Sequence, residues 1–93
     1  MEKRIYVKIK VLPPFTLNLK SVESILHLDK DYSLIELFSK ASSQGILKID
    51  NVVDNGGIRD NVVVLVNGKT IFDLRYRLSD GDRVVVMPLA PGG

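Results

Sequence analysis

Only one segment of this chain has helical spacing, and strand-like segments stand on both sides of it. Leu34, Leu37, Phe38 and Ala41 recur at intervals of three and four, and Ile35 widens the apolar stripe. Ser33-Leu34-Ile35-Glu36 fits a capping box: the serine accepts a bond from the amide three residues on, and the glutamate reaches back to the serine amide. Gly45 is placed to stop the helix in the left-handed conformation. The spacing predicts about three turns over residues 34–44. One helix of that length covers one face of a sheet and not two.

The flanking segments supply the sheet. Ile5, Val7, Ile9 and Val11 alternate with Tyr6, Lys8, Lys10 and Leu12, the period of a strand with one buried face. Pro13-Pro14 removes two ladder donors and ends it. A second extended segment lies within residues 16–29. Its best alternation is Ile25-Leu26-His27-Leu28, with Leu17 and Leu19 competing. After the helix, residues 46–60 are irregular, and Asp54-Asn55-Gly56-Gly57 is a loop signal. Val62 to Val66 is a run of β-formers closed by Asn67-Gly68, the pair that favours a type I′ hairpin turn. Lys69 to Phe72 returns as a short strand. Ser79-Asp80-Gly81-Asp82 is a further turn, and the last strand runs from Arg83 to about Pro88. The predicted order is β-β-α-β-β-β, an α+β chain with the helix across one face of a mixed sheet of four to five strands. The helix is the crossover that lets the first and last strands lie parallel at the centre, a β-grasp arrangement. Residues 1–88 read as one domain and 89–93 as an extended tail.

The last strands break the rule for a sheet covered on one face. Val84 and Val86 alternate with Val85 and Met87, and Val62, Val64 and Val66 with Val63 and Leu65, so both faces are apolar. Either the 46–60 segment covers the second face, or that face is a partner surface. The partner reading singles out Leu65, Val85, Met87, Leu89 and Pro91, beside the point where the tail leaves.

The tail itself is Leu89-Ala90-Pro91-Gly92-Gly93. Fully extended, its five residues reach about 16 Å. Pro91 favours an extended course for Ala90, and two glycines allow close approach by another chain. A thin finger ending in a carboxylate fits a narrow active site. A carboxylate is a poor electrophile, so a partner has to activate it, most simply as a mixed anhydride with AMP. Sulfide, a thiol or an amine then displaces AMP at the Gly93 carbonyl.

The chain offers little chemistry of its own. It has 93 residues, no cysteine and one histidine, which excludes a disulfide framework and Cys-based zinc sites. No nucleophile–base or metal constellation is legible, so the chain reads as a substrate or carrier rather than an enzyme. His27 reads as a surface histidine, Ser33 as a cap, and Asp80 and Asp82 as turn residues rather than calcium ligands. A net charge of +2 with both signs interspersed gives no stripe for nucleic acid. Arg75 and Arg77 read as solvated charges, with guidance of an acidic partner as the alternative. Met1 leads into charged residues with no apolar stretch, which suggests a soluble, cytoplasmic protein without membrane contact.

Three motifs in order carry a resemblance: Val66-Asn67-Gly68, Leu78-Ser79-Asp80-Gly81-Asp82, and Pro88-Leu89-Ala90-Pro91-Gly92-Gly93. They resemble the MoaD/ThiS family, which includes the small subunit of molybdopterin synthase, the thiamin sulfur carrier and the small archaeal modifier proteins. The resemblance spans the chain in element order and residues 58–93 at motif level. It implies a ubiquitin-like β-grasp fold with no intrinsic cofactor. It also implies ATP-dependent adenylation of Gly93 by an activating enzyme of the ubiquitin-activating, MoeB or ThiF type, then a C-terminal thiocarboxylate. The further partners implied are the large subunit of molybdopterin synthase, as in molybdenum cofactor biosynthesis, or lysines of target proteins. Molybdopterin members usually carry a second proline and a small residue where this chain has Leu89-Ala90-Pro91. The long 46–60 connection is more similar to the archaeal and molybdopterin members. A non-covalent interaction module, binding RNA or protein with an incidental Gly-Gly end, is the alternative from a different class.

Overall fold

The computed structural model describes residues 4–18, 20–29 and 32–89. Strand β1, Arg4–Val11, buries Val7, Ile9 and Val11 and turns Lys8 and Lys10 to the other face, as its alternation requires. Strand β2, Val22–Asp29, pairs with it antiparallel along its whole length, from Arg4↔Asp29 to Val11↔Val22. Leu26 and Leu28 are the buried pair of β2, and Ile25 and His27 are exposed. Leu17 lies exposed in the connection between the strands, and Leu19 falls outside the described residues.

Helix α1, Leu34–Ser43, has both of the expected ends. At its start the Ser33 hydroxyl accepts from the Glu36 amide at 3.4 Å, and Glu36 Oε1 accepts from the Ser33 amide at 3.0 Å and the Ser33 hydroxyl at 2.8 Å. At its end Gly45 has φ +75°, its amide donates to the Ser42 carbonyl, and the Ile46 amide donates to the Ala41 carbonyl. Those two bonds form a Schellman motif and satisfy carbonyls that the helix cannot. Leu34, Leu37, Phe38 and Ala41 are buried against the sheet, the stripe read from spacing.

Three strands follow in the main sheet: β5, Val62–Val66; β6, Lys69–Thr70; and β7, Arg83–Pro88. The sheet order is β2-β1-β7-β5-β6, with β7 parallel to β1 and antiparallel to β5. The last strand in sequence is thus the central strand in space, and the fold is a β-grasp with one helix on a five-stranded mixed sheet. Its core unites Val7, Ile9 and Val11 with Leu34, Phe38, Val64 and Val86. Each such side chain contributes about 1.5–3 kcal/mol when fully buried.

Residues 46–60 contain more structure than a loop. A 3₁₀ turn, Ile49–Asn51, leads to a small hairpin of β3, Val53–Asp54, and β4, Gly57–Ile58. Asn55 at φ 50° and Gly56 at φ 79° form its two-residue turn. Ile46, Leu47 and Val52 are buried in the same core as the helix. This segment therefore extends the helix-side layer and leaves the second sheet face uncovered by it.

Two turn motifs that are far apart in sequence meet at one end of the sheet. Asn67, at φ 52°, and Gly68, at φ 84°, turn β5 into β6. The Asn67 side chain donates to Asp82 Oδ1 at 2.8 Å and accepts from the Arg83 amide at 2.9 Å. Asp82, only 7% exposed, also accepts from the Ser79 amide at 2.8 Å. The neighbouring turn residue Asp80 accepts from the Tyr6 amide at 2.8 Å, while the Gly81 amide donates to the Tyr6 carbonyl. These bonds lock the start of β7 to both β5 and β1.

Asp82→Ala leaves the Ser79 amide and the Asn67 amide group without their acceptor, and should lower unfolding stability by about 2–3 kcal/mol in urea denaturation. The exposed Asp80→Ala should cost less. The capping box also gives a pH dependence. The Ser33 amide, then the Ser33 hydroxyl, and more weakly Arg77, hold the Glu36 carboxyl below its ordinary range, against a small opposing effect of burial. The folded chain then binds that proton less readily than the unfolded chain. The contribution is complete above the unfolded value and is lost as pH falls through the lower, folded one. Ser33→Ala should lower the melting temperature at neutral pH and flatten the loss of stability on acidification.

Candidate docking face and C-terminal site

Strand β7 carries two of the residues that the sequence marks as functional, Val85 and Met87, and neighbours a third, Leu65 of β5. On the helix side it buries Val84 and Val86, and on the other side it presents Val85 and Met87, both half-buried. Register places Val85 between Lys10 of β1 and Leu65 of β5, and Met87 opposite Val63. Of the anticipated partner residues, Leu65, Val85 and Met87 therefore form one contiguous patch. Leu89 follows directly after β7, its amide donating to the Asn61 carbonyl at 2.9 Å, with its side chain 58% exposed. Pro91, Gly92 and Gly93 lie outside the described residues.

The face is larger than those residues. Val63 belongs to it through its pairing with Met87. The bond from the Ile71 amide to the Val64 carbonyl continues the β5–β6 pairing and brings Phe72, 81% exposed, alongside the Val63 end. Phe72 is a candidate that sequence reasoning passed over. The sequence places it at the end of the short segment from Lys69, and the structure ends that strand at Thr70, two residues before it. Tyr6 and Ile25, exposed on the β1–β2 side, extend the apolar surface, with Tyr6 stacked edge-on against His27 at 4.5 Å between ring centres.

The charge on this face is mostly positive. Lys8 lies beside Arg83 in the parallel register, and Lys10 beside Val85. Glu23 approaches Lys8 at 3.8 Å, with both side chains about half exposed. Such a pair contributes little to stability. A shallow hollow of about 470 Å³ is lined by Leu65, Asn67, Gly68, Arg83 and Val85. An apolar strip with a basic margin and an open hollow suits a protein surface better than an enclosed small molecule. Arg75 is highly exposed beside Asp73 at 3.6 Å, and Arg77 acts on the capping-box Glu36.

Among the described residues no group of three or more His, Cys, Asp or Glu side chains is placed to hold a metal ion. No helix among them is long and apolar enough to cross a membrane.

Comparison with known proteins agrees with this fold. The solution structure of the Haloferax volcanii HVO 2177 protein matches with a TM-score of 0.73 at 22% identity, covering 97% of this chain and 88% of that one. The crystal structure of SAMP1 from Haloferax volcanii matches with a TM-score of 0.68 at 20% identity, covering 95% of this chain and 99% of that one. At such identities the two structures speak to the fold alone. No curated protein sequence matches the chain significantly. The ThiS family model matches residues 18–93, from the connection before β2 to the last glycine, and on that match the chain belongs to the ThiS family of small ubiquitin-like carrier proteins.

Proposed function

We propose that this protein is a sulfur carrier or protein modifier whose reacting group is its own Gly93 carboxylate. The observation that carries the reading is the position of β7: one strand is the centre of the open apolar face and also the element from which the tail departs. An activating enzyme that grips Leu65, Val85, Met87 and Phe72 meets Leu89 at a fixed offset from that grip, with Ala90 to Gly93 next in sequence. Membership of the ThiS family and the likeness to SAMP1 support the same reading.

The chemistry belongs to the partner and balances without a group from this chain beyond the carboxylate. A Gly93 oxygen attacks the α-phosphorus of ATP, pyrophosphate leaves, and an acyl-adenylate forms. Hydrosulfide then attacks the Gly93 carbonyl carbon, AMP leaves with the bonding pair, and a proton is released, giving a thiocarboxylate. A lysine amine attacking the same carbonyl instead gives an amide to a target protein. The thiocarboxylate route suits a MoaD-like small subunit serving a pterin synthase, and the amide route suits a modifier. The positive margin formed by Lys8, Lys10 and Arg83 favours an acidic docking surface on the activating enzyme.

Two experiments test the proposal. Incubation with the cognate activating enzyme, ATP and sulfide should convert the terminal hydroxyl to a thiol, read by intact mass. Deleting Gly92-Gly93 should abolish that conversion with the fold retained. A truncated chain that keeps its partner and its effect would instead establish a non-covalent interaction module. Val85→Glu should raise the activating enzyme's KM for this chain by about tenfold, through loss of a central apolar contact. Circular dichroism verifies that the variant remains folded.

A further inference from the structure

We propose that this chain self-associates through β2, pairing antiparallel with the β2 of a second copy about a two-fold axis at Ile25. The inference is independent of the reaction at Gly93. Strand β2 is one edge of the sheet and is eight residues long, whereas the opposite edge, β6, has two. Its pairing with β1 is unbroken, with no bulge, and Val22–Asp29 contains neither proline nor lysine. Those are devices by which edge strands are commonly protected, and this edge lacks them.

The free main-chain groups are identified by the bonds on the far side of β1. The Lys8 and Leu12 amides donate to the Asp82 and Val86 carbonyls, and the Tyr6 carbonyl accepts from Gly81. Even-numbered residues of β1 thus face β7, and Ile5, Val7, Ile9 and Val11 face β2. Their partners are Leu28, Leu26, Ser24 and Val22. The amides and carbonyls of Glu23, Ile25, His27 and Asp29 therefore point away from the sheet.

Charge selects both the occupant and the register. A second β2 has to match odd-numbered residues with odd-numbered residues to exchange hydrogen bonds. Centring the pair on Leu26 sets Glu23 against Asp29 twice, like charges directly opposite. Centring on His27 sets Ile25 against Asp29. Centring on Ile25 sets Ile25, 58% exposed, against its copy, and each Glu23 carboxylate against a His27 imidazole that can donate a hydrogen bond. On the helix side the same register brings Val22 opposite Leu28. The product is a continuous ten-stranded sheet, five strands from each copy, with both helices on one side and both open faces on the other. A single strand pair buries little area, so the dimer belongs to the weak, concentration-dependent class.

The test uses the full chain. Sedimentation equilibrium from micromolar to millimolar concentration should show a monomer–dimer transition. Ile25→Lys, at a position already exposed, should keep the fold and weaken association by about tenfold or more through two facing cations. Because the chain has no cysteine, a single introduced thiol reports only on its own position. Ile25→Cys should form a disulfide dimer on mild oxidation much faster than Glu23→Cys or Asp29→Cys. A monomer throughout the series, a dimer indifferent to Ile25→Lys, or equal cross-linking at all three positions overturns the proposal.

Discussion

The parallel pairing of β1 with β7 is the contact on which the rest of the molecule depends. It joins the two ends of the chain at the centre of the sheet, and it exists only because α1 carries the chain from one end of the sheet to the other. Helix caps, the buried stripe of α1 and the small hairpin at 53–58 all serve that crossover from one side. On the other side no helix or strand among the described residues forms a covering layer. The turn bonds of Asn67, Asp80 and Asp82 then set where β7 begins and hold its register against both neighbours.

This construction explains why a carrier needs so little chemistry. Under the proposed function, the reacting end follows a central strand in sequence, and Leu89 is the described residue that leads to it. A partner that binds the open face has thereby placed the first residue of the tail. The apolar residues that break the expected inward–outward alternation, Val63, Leu65, Val85 and Met87, are half-buried on the face turned away from the helix. Their retention of apolar character on an open face is a cost to solubility that a docking role explains. The same one-sided architecture leaves β2 as a long unprotected edge, so the surfaces argued for both interactions arise from one topological decision.

Much of the fold was legible in the residues. The capping box at Ser33-Glu36, the stop at Gly45 and the turn at Asn67-Gly68 are local motifs whose geometry is set within a few residues, and each took the expected form. The strand at Arg83–Pro88 also began and ended as its alternation predicts. Less legible were β3 and β4, two residues each, because strands so short have no periodicity to read. The register of β2 was ambiguous in Ile25-Leu26-His27-Leu28, since a run that is mostly apolar satisfies either face until its partner strand is placed. Phe72 was overlooked as a site residue because local pattern made it a strand residue, while only the folded structure shows its ring exposed. Asp80 and Asp82 looked like equivalent turn residues, and their separation into an exposed bond to β1 and a buried bond to Asn67 is a long-range fact.

By itself, the sequence determined the class of the fold and supplied the residues on which the proposed function rests. One amphipathic helix between strands permits few arrangements of the sheet. Tertiary structure alone decided which face was open, which residues shared it, and how the two turn motifs lock together. Those properties depend on pairing between residues distant in sequence, and the alternation of a doubly apolar strand is symmetric until a helix covers one of its faces.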